Sequence, residues 1–351
     1  MTTLRRSLVA ATALSGVAAL LGLGWLSGLL PPFYAAEEPL LGRLLGSYAV
    51  AVVHTVAALV GVAVGILGFS GALDRRALGT VAVVELLVFG LALQSMATLS
   101  TVGYLLALAM PVVVVVLLVQ VVRRYPVARW AVGLPGLAAI AVGVVVGRAP
   151  LAAEAGSLFP ALARQSLVLA ATLLVAALGA AWALVVVRNA QGTDAARRAT
   201  GWVVRHRRVL TIVAATGPLP YALQRLTWLT PWPALVDDVD MSTRIWGLTL
   251  SSGAWLGAVL TLGLIRPWGE TFPRWVPRWG GRPVPVYAAV VPGGLVAAVL
   301  TFSAVPVAVG MGEQGALWLS LVVFPCWYWG PALALAVWGY AAHRARVRMA
   351  V

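Results

Sequence analysis

Long apolar segments alternate along the chain with short polar segments that hold most of the charged residues. A run of about 20 apolar residues is long enough to cross a bilayer as an α-helix. Ten such runs are predicted as spans, at 7–30, 46–69, 79–98, 102–122, 130–147, 165–187, 209–230, 245–265, 286–309 and 317–340. The pattern predicts an all-α fold, a polytopic membrane helix bundle of about ten transmembrane helices. Residues 1–351 then form a single integral-membrane domain without a soluble domain.

The predicted spans differ in how they begin and end. The third and fourth are joined by a very tight turn near Ser100. The seventh is broken by Pro218 and Pro220, because proline removes a backbone donor and bends a helix. The apolar run after Arg5 and Arg6 is longer than the apolar core of a signal peptide, about 7–15 residues. It is therefore predicted to be retained as the first span.

Arginine is concentrated in every second segment between the spans. Counted from a cytoplasmic N-terminus, the arginine-rich segments are Arg5–Arg6, Arg75–Arg76, Arg123–Arg129, Arg188–Arg208, Arg266–Arg282 and Arg344–Arg348. Positively charged loops are retained on the cytoplasmic side of a membrane. The alternation therefore predicts a multi-pass protein of the bacterial cell (cytoplasmic) membrane, with both the N- and the C-terminus cytoplasmic. Most acidic residues fall on the opposite side, which is a weaker signal.

Composition excludes several classes of protein and of site. With 61% hydrophobic and 10% charged residues, the chain must expose much of its surface to lipid, so the bilayer is its first predicted partner. The net charge of +14 is spread between the spans and not gathered on one soluble face, which argues against nucleic acid. The sequence has no lysine for a Schiff base, a single cysteine, Cys326, and a single histidine within a span, His54. No cofactor and no metal are therefore predicted.

The stretch Gly217–Asp240 carries the best functional lead. It places Arg225 about 24 Å along a path of about 30 Å through the seventh span, and a charge within a span is by default a functional candidate. At helical spacing this arginine shares one face with polar and aromatic neighbours. The predicted substrate-binding residues are Arg225, Tyr221, Trp228, Pro218 and Pro220. Two alternatives stay open, an arginine that extends to the outer headgroups and a purely structural kink.

Three acids follow this stretch as an outer acidic cluster, Asp237, Asp238 and Asp240. Carboxylates at such spacing suit a divalent cation. Only one such cluster is present, and the predicted topology puts it on the outer side of the membrane. A solvated outer loop is therefore the preferred interpretation.

His54 and Glu85 are the candidate catalytic or proton-transferring residues. Glu85 lies in the third predicted span, as a proton carrier or as a carboxylate at the inner rim that reaches Arg76 or its neighbours. His54 lies in the second, as a proton relay or general base, or as a histidine hydrogen-bonded between helices. The helical rise separates the two by about 10 Å in depth, so they are not expected to act as a pair.

Arginine and tryptophan alternate in the segment Arg266–Pro285. The predicted lipid-headgroup loop consists of Arg266, Trp268, Arg274, Trp275, Arg278, Trp279 and Arg282. Tryptophan favours the headgroup zone and arginine binds lipid phosphates, so anionic lipids of the inner leaflet are predicted partners. The alternative is a site for a phosphate-bearing substrate. The basic segment Asp194–Arg208 reads as a short interfacial helix with Trp202 at the lipid boundary.

Two stretches, GPLPYALQRLTW and LIRPWGETFPRWVPRWGGRPVP, resemble a group of uncharacterised multi-spanning membrane proteins of actinobacteria. The resemblance covers about residues 217–310. It implies that the two stretches occur together, and it carries no function with it.

The leading functional hypothesis is a transporter or permease for a small or amphiphilic solute with an outward-facing polar vestibule. Arg225 and the broken span would line the pathway, and His54 or Glu85 would couple it to protons. One alternative is a membrane-embedded enzyme acting on a lipid or isoprenoid, with Glu85 or His54 as acid or base. Another is a non-catalytic membrane partner or immunity-type subunit. An unidentified membrane partner or a homo-oligomer is compatible with each of these. The sequence lacks GxxxxGK[ST], HExxH and GxSxG motifs.

Overall fold

The structure, a computed structural model, describes residues 2–36, 38–124, 126, 129–146, 156, 160, 163–236, 239–274, 276 and 279–350. These residues form helices and short turns, with one isolated antiparallel bridge between Thr271 and Pro283. The all-α prediction is confirmed. The helices are α1 (Thr2–Leu26), α2 (Phe33–Ala36), α3 (Gly42–Leu45), α4 (Ser47–Ser70), α5 (Arg75–Leu87), α6 (Met96–Arg124), α7 (Leu134–Val146), α8 (Ser166–Ala190), α9 (Asp194–Arg205), α10 (Arg207–Thr216), α11 (Leu219–Leu226), α12 (Met241–Gly263), α13 (Val286–Glu313) and α14 (Cys326–Ala350).

Six helices of the described residues are long and apolar enough to cross a membrane. They are Thr3–Leu26, Ser47–Ser70, Ser166–Ala190, Thr243–Gly263, Val286–Glu313 and Leu319–Val347. A bent pair, Arg75–Ala92 with Met96–Gly103, makes seven if it is counted as one span. The protein is therefore a multi-pass membrane protein that contacts the lipid bilayer. The prediction of ten transmembrane helices is wrong.

The span predicted at 102–122 lies within α6, whereas two other predicted spans are interrupted. The span predicted at 209–230 is divided into α10, α11 and a 3₁₀ turn, Thr227–Leu229, each much shorter than a bilayer crossing of about 20 residues. The span predicted at 130–147 consists of a π-helical turn, Arg129–Gly133, followed by α7 of 13 residues. Apolar composition alone cannot reveal such interruptions.

The tight turn predicted near Ser100 lies instead at Leu93–Ser95. Helix α5 continues as a π-helical turn, Val88–Ala92, and the chain then bends by 76° before α6 begins. The loop after α2 covers this bend, because the amides of Leu40 and Leu41 donate to the carbonyls of Gln94 and Ala92 at 3.1 and 2.9 Å. The buried Gln94 side chain donates to the carbonyl of Phe89 and accepts from the hydroxyl of Thr98. Backbone and side-chain polar groups at the break thus have partners inside the protein, as an apolar surrounding requires.

The chain divides into two compact units. The first comprises Met1–Thr101, Val168–Ala214 and Val286–Val351, and the second comprises Val102–Leu167 and Ala215–Pro285. In the first unit α1 packs along α4, α13 along α14, and α9 against α14. In the second unit α11 packs along α12.

Small residues let α1 and α4 approach closely. A Cβ atom added at Gly65 would meet the Thr12 hydroxyl, and one added at Gly61 would lie 2.5 Å from Ser15 Oγ. Gly68 packs in the same way against Leu8. Helices in lipid associate through such small-residue contacts because no hydrophobic effect drives apolar helices together there.

Candidate functional site

The break in the predicted seventh span falls between α10 and α11. Helix α10 ends at Thr216, and Pro218 and Pro220 occupy the N-cap and the first turn of α11. Amide groups in the first turn of a helix have no intrahelical acceptor, so proline costs little there. The two prolines therefore start a new helix and do not distort the interior of an existing one.

Arg225 lies on the face of α11 that the sequence predicts, between two aromatic rings. Its Cζ atom is 3.6 Å from the centroid of the Trp228 ring and 5.1 Å from that of Tyr221. The two rings stand three residues after and four residues before the arginine, which is the spacing at which helical side chains meet. The structure thus brings together three of the five predicted substrate-binding residues.

Helix α12 forms the back of this cluster. A Cβ atom at Gly247 would lie 2.5 Å from Trp228 Cζ3 and 3.4 Å from Arg225 Nη1, so only glycine leaves room for both side chains. Ser251 Oγ donates to the carbonyl of Ala222 at 3.3 Å and joins the two helices. Sequence reasoning missed Gly247, although its four-residue spacing from Ser251 is a small-residue pattern typical of helix contacts.

A second arginine, also missed, fixes the turn that follows α11. Arg244 Nη1 donates to the carbonyls of Trp228 and Thr230 at 2.6 and 3.0 Å, and its Nε donates to that of Val239 at 3.1 Å. Arg244 therefore donates to backbone carbonyls that follow the end of α11. Its position in the chain outside an apolar run gave no sign of this role.

The Arg225 guanidinium has no acidic partner among the described residues. The ion pairs there are Arg43 with Glu313 and Arg197 with Asp194. Arg225 is half-buried, and neither its Nε nor the indole Nε1 of Trp228 has a hydrogen-bond partner in the described part of the chain. A planar guanidinium with free donors beside an indole N–H is suited to binding an anion.

The outer acidic cluster is only partly described. Asp240 caps the N-terminus of α12, where its side chain accepts from the amide of Thr243 at 3.2 Å. Asp237 and Asp238 lie outside the described residues. The described part of the chain contains no group of three or more His, Cys, Asp or Glu residues that could hold a metal ion.

His54 lies in a buried aromatic cluster between α1, α2 and α4. Its Nε2 is 3.1 Å from the carbonyl oxygen of Ala18, and its Nδ1 is 2.7 Å from the Tyr34 hydroxyl. A carbonyl can only accept, so Nε2 carries the hydrogen and Nδ1 accepts from Tyr34. The rings of Trp25 and Phe89 pack against the imidazole with centroids 5.1 and 5.4 Å away. With both nitrogens engaged, this geometry favours the interhelical hydrogen bond over the relay or general base.

Glu85 is enclosed within the first unit. It is 1% exposed, on the face of α5 that also buries Leu78 and Ala82. Arg75 donates instead to the backbone carbonyls of Asn189 and Gln191. Among the described residues Glu85 forms no ion pair with Arg76 or any other arginine. Glu85 and His54 do not pair either, because His54 is hydrogen-bonded to Tyr34 and Ala18.

The segment Arg266–Pro285 folds into a compact hairpin-like loop, held by the Thr271–Pro283 bridge. Trp268 packs inward, since a Cβ atom at Gly263 of α12 would lie 2.5 Å from its Cη2 atom. Trp279 is 55% exposed, and its ring lies tilted against that of Phe272 with centroids 5.5 Å apart. The other described members of the predicted headgroup loop are the exposed Arg266, Arg274 and Arg282. Trp275 and Arg278 lie outside the described residues.

Helix α9 has the two-sided character that the sequence predicts. Val203 is buried against the first unit, whereas Trp202 and the arginines Arg197, Arg198 and Arg205 are exposed.

Comparisons of the chain with protein families, with curated proteins and with solved structures found no match. The cluster of Arg225, Tyr221 and Trp228 is therefore assessed on its own geometry.

Proposed function

We propose that the protein is a transporter or permease for a small or amphiphilic solute that carries an anionic group, and that Arg225 binds this group. The observation that supports the proposal is the guanidinium between Tyr221 and Trp228, which has no acidic partner in the described residues. The proposal includes an outward-facing vestibule and cytoplasmic termini in a bacterial cell membrane, as the alternation of arginine-rich segments suggests.

The environment of Arg225 suits recognition of an anion better than simple anchoring to headgroups. Cation–π contacts contribute about 0.5–1 kcal/mol at exposed sites and about 2 kcal/mol when they are desolvated, so the rings hold the guanidinium in place. An arginine already fixed loses little conformational entropy when it forms two parallel hydrogen bonds to a carboxylate or phosphate. The adjacent Trp228 N–H offers one more donor. The interruption before α11 adds backbone groups that a ligand could use.

The enzymatic alternative has less support. It needs an acid or a base at the head of a lipid-like substrate, and both nitrogens of His54 are hydrogen-bonded inside the protein. Glu85 would then have to act alone from a buried position between helices. A partner-subunit role offers no explanation for an arginine that has no acidic partner among the described residues.

Binding of defined anions to the purified full chain tests the proposal. Dodecyl phosphate, decanoate and inorganic phosphate would be titrated into detergent-solubilised protein, with tryptophan fluorescence and thermal stability as readouts. We expect at least one of them to bind wild type, and R225A to weaken that binding about tenfold, equivalent to the loss of about 1.4 kcal/mol. R225K keeps the charge but not the planar fork, and we expect an intermediate loss.

Arg164→Ala provides the matched control, because this exposed arginine lies outside both the cluster and the predicted headgroup loop. Binding that is unchanged in R225A, or lost equally in R164A, would overturn the assignment. Uptake of the binding anion into proteoliposomes then tests transport itself, and an R225A protein with wild-type uptake would exclude Arg225 from the pathway.

A further inference from the structure

Three of the buried polar atoms in the first unit that have no hydrogen-bond partner among the described residues belong to three different helices. They are Ser15 Oγ of α1, Glu85 Oε2 of α5 and Trp182 Nε1 of α8. Ser15 and Trp182 are fully buried, and Glu85 is 1% exposed. A buried polar group without a partner is costly, so three of them in one core need an explanation.

Ser15 and Trp182 meet at Gly61 of α4. A Cβ atom at Gly61 would lie 2.5 Å from Ser15 Oγ and 3.1 Å from Trp182 Cζ2. The indole nitrogen is two bonds from Cζ2, so its N–H lies close to Gly61 as well. The absence of a side chain at Gly61 leaves room for both groups.

Two contacts set the depth of Glu85 relative to Trp182. Helix α5 runs antiparallel to α8, because Gly79 packs against Asn189 and Gly90 packs against Gly179. Between these contacts, Glu85 lies within about one helical turn of Trp182.

The packing of α5 on α4 also brings Glu85 towards Gly61, where Ser15 and Trp182 meet. Phe89, one turn after Glu85, contacts His54 of α4, and α5 returns antiparallel to α4. Glu85 therefore lies between the levels of His54 and Gly61. Side chains in a helix lean towards its N-terminus, which for α5 is the direction of the Gly61 level.

We propose that Glu85, Ser15 and Trp182 form a buried proton-binding site with an ordered water molecule among them. The Glu85 carboxyl group binds the proton, since a charged carboxylate buried without a cation is unfavourable. The water accepts from the indole N–H and exchanges hydrogen bonds with the serine hydroxyl and the carboxyl group. A π-helical turn follows α5 directly, and such turns are frequent at functional sites.

The set of ligands selects a proton over a metal ion. Hard cations take about six or more oxygen ligands. The three groups supply two oxygen-bearing side chains, and an indole N–H can only donate and would repel a cation. A protonated carboxyl with a bridging water satisfies all three groups.

The charged and titratable groups on the neighbouring elements are otherwise occupied or distant along their helices. His54 of α4 is hydrogen-bonded to Tyr34, and Arg75 of α5 to the backbone of α8. The rest lie at helix ends or outer surfaces: Arg5 and Arg6 of α1, Tyr48 of α4, Arg76 of α5, Arg188 of α8, and Tyr287 and Glu313 of α13. The described residues therefore provide no charge that would take over the role of Glu85.

Infrared spectroscopy of the full chain in detergent tests the site. We expect a carboxylic-acid C=O band in wild type that shifts in D₂O and disappears in E85Q. S15A and W182F should each shift this band, because each removes a hydrogen-bonding group from the site. The control variants S7A, W25F and E313Q change the same residue types elsewhere and should leave the band unchanged, with folding checked by circular dichroism.

The absence of a band that E85Q removes would overturn the proton site. A band that neither S15A nor W182F shifts would overturn the three-residue arrangement. The proton site does not depend on the proposed transport function. Only the further role of Glu85 in coupling transport to protons rests on that function. For that role, E85Q should abolish the response of anion uptake to a proton gradient but retain anion binding, and R225A should lose binding but keep the infrared band. The two proposals can therefore fail separately.

Discussion

Replacement of Gly65 by alanine tests the close packing of α1 on α4. The added Cβ atom would meet the Thr12 hydroxyl and lie 2.7 Å from Thr12 Cγ2 and 2.8 Å from its Cβ. Thr12 cannot rotate freely away, because its hydroxyl donates to the carbonyl of Leu8 at 2.7 Å. Either this hydrogen bond breaks or the two helices separate.

The magnitude follows from two opposing effects. Overpacking of a tight contact costs about 1–3 kcal/mol, whereas alanine is favoured over glycine in a helix by about 1 kcal/mol. Because two Thr12 carbon atoms would lie closer than 3.0 Å to the added atom, the overpacking cost should be about 2–3 kcal/mol. We therefore expect G65A to lower the free energy of unfolding by about 1–2 kcal/mol, measured by titration of mixed micelles with SDS.

Gly294 of α13 gives the matched control, because a Cβ atom there would meet nothing within 4 Å. G294A should be neutral or slightly stabilising. The double variant T12A/G65A should recover part of the loss, since alanine at position 12 removes the Thr12 hydroxyl and methyl groups but keeps the Cβ atom at 2.8 Å. Wild-type stability of G65A, or a double variant as unstable as G65A, would refute the packing argument.

Three further variants can be measured by the same titration. Tyr34→Phe removes the donor to a buried imidazole and should cost about 1–3 kcal/mol, whereas Tyr48→Phe, at a residue that is 72% exposed, should be neutral; equal effects would contradict the buried hydrogen bond. Gln94→Leu leaves a carbonyl at the bend without its donor and should cost about 1–3 kcal/mol, and no loss would argue against this role. Glu313→Gln ends a solvent-exposed ion pair and should cost less than about 1 kcal/mol, so a larger loss would show a buried interaction.

The sequence was sufficient for membrane class and for the uninterrupted helices. Predicted spans such as 46–69 and 165–187 correspond to α4 and α8, because some 20 consecutive apolar residues are stable in lipid only as a helix. Local spacing also sufficed for the contacts of Arg225 with Tyr221 and Trp228, since all three residues lie within α11 and the 3₁₀ turn that directly follows it. These properties depend on neighbours in the chain.

The number of spans could not be obtained in this way. The bend at Leu93–Ser95 depends on Gln94 and on backbone bonds from Leu40 and Leu41, more than 50 residues earlier in the chain. Hydropathy measures whether a segment prefers lipid and carries no information on whether its helix is continuous. Pro218 and Pro220 did predict the break near Gly217, but hydropathy alone counted the two short helices on either side of it as one span.

Tertiary structure alone decided the environments of the polar residues within the apolar segments. The sequence allowed two roles for Glu85, a carboxylate at the inner rim and a proton carrier. Its burial beside α4 and α8 favours the proton carrier. The sequence also allowed more than one role for His54. Its hydrogen bonds to Tyr34 and Ala18 favour a histidine that links helices. Whether a buried polar group is free or satisfied depends on helices distant in sequence, and periodicity within one helix cannot specify them.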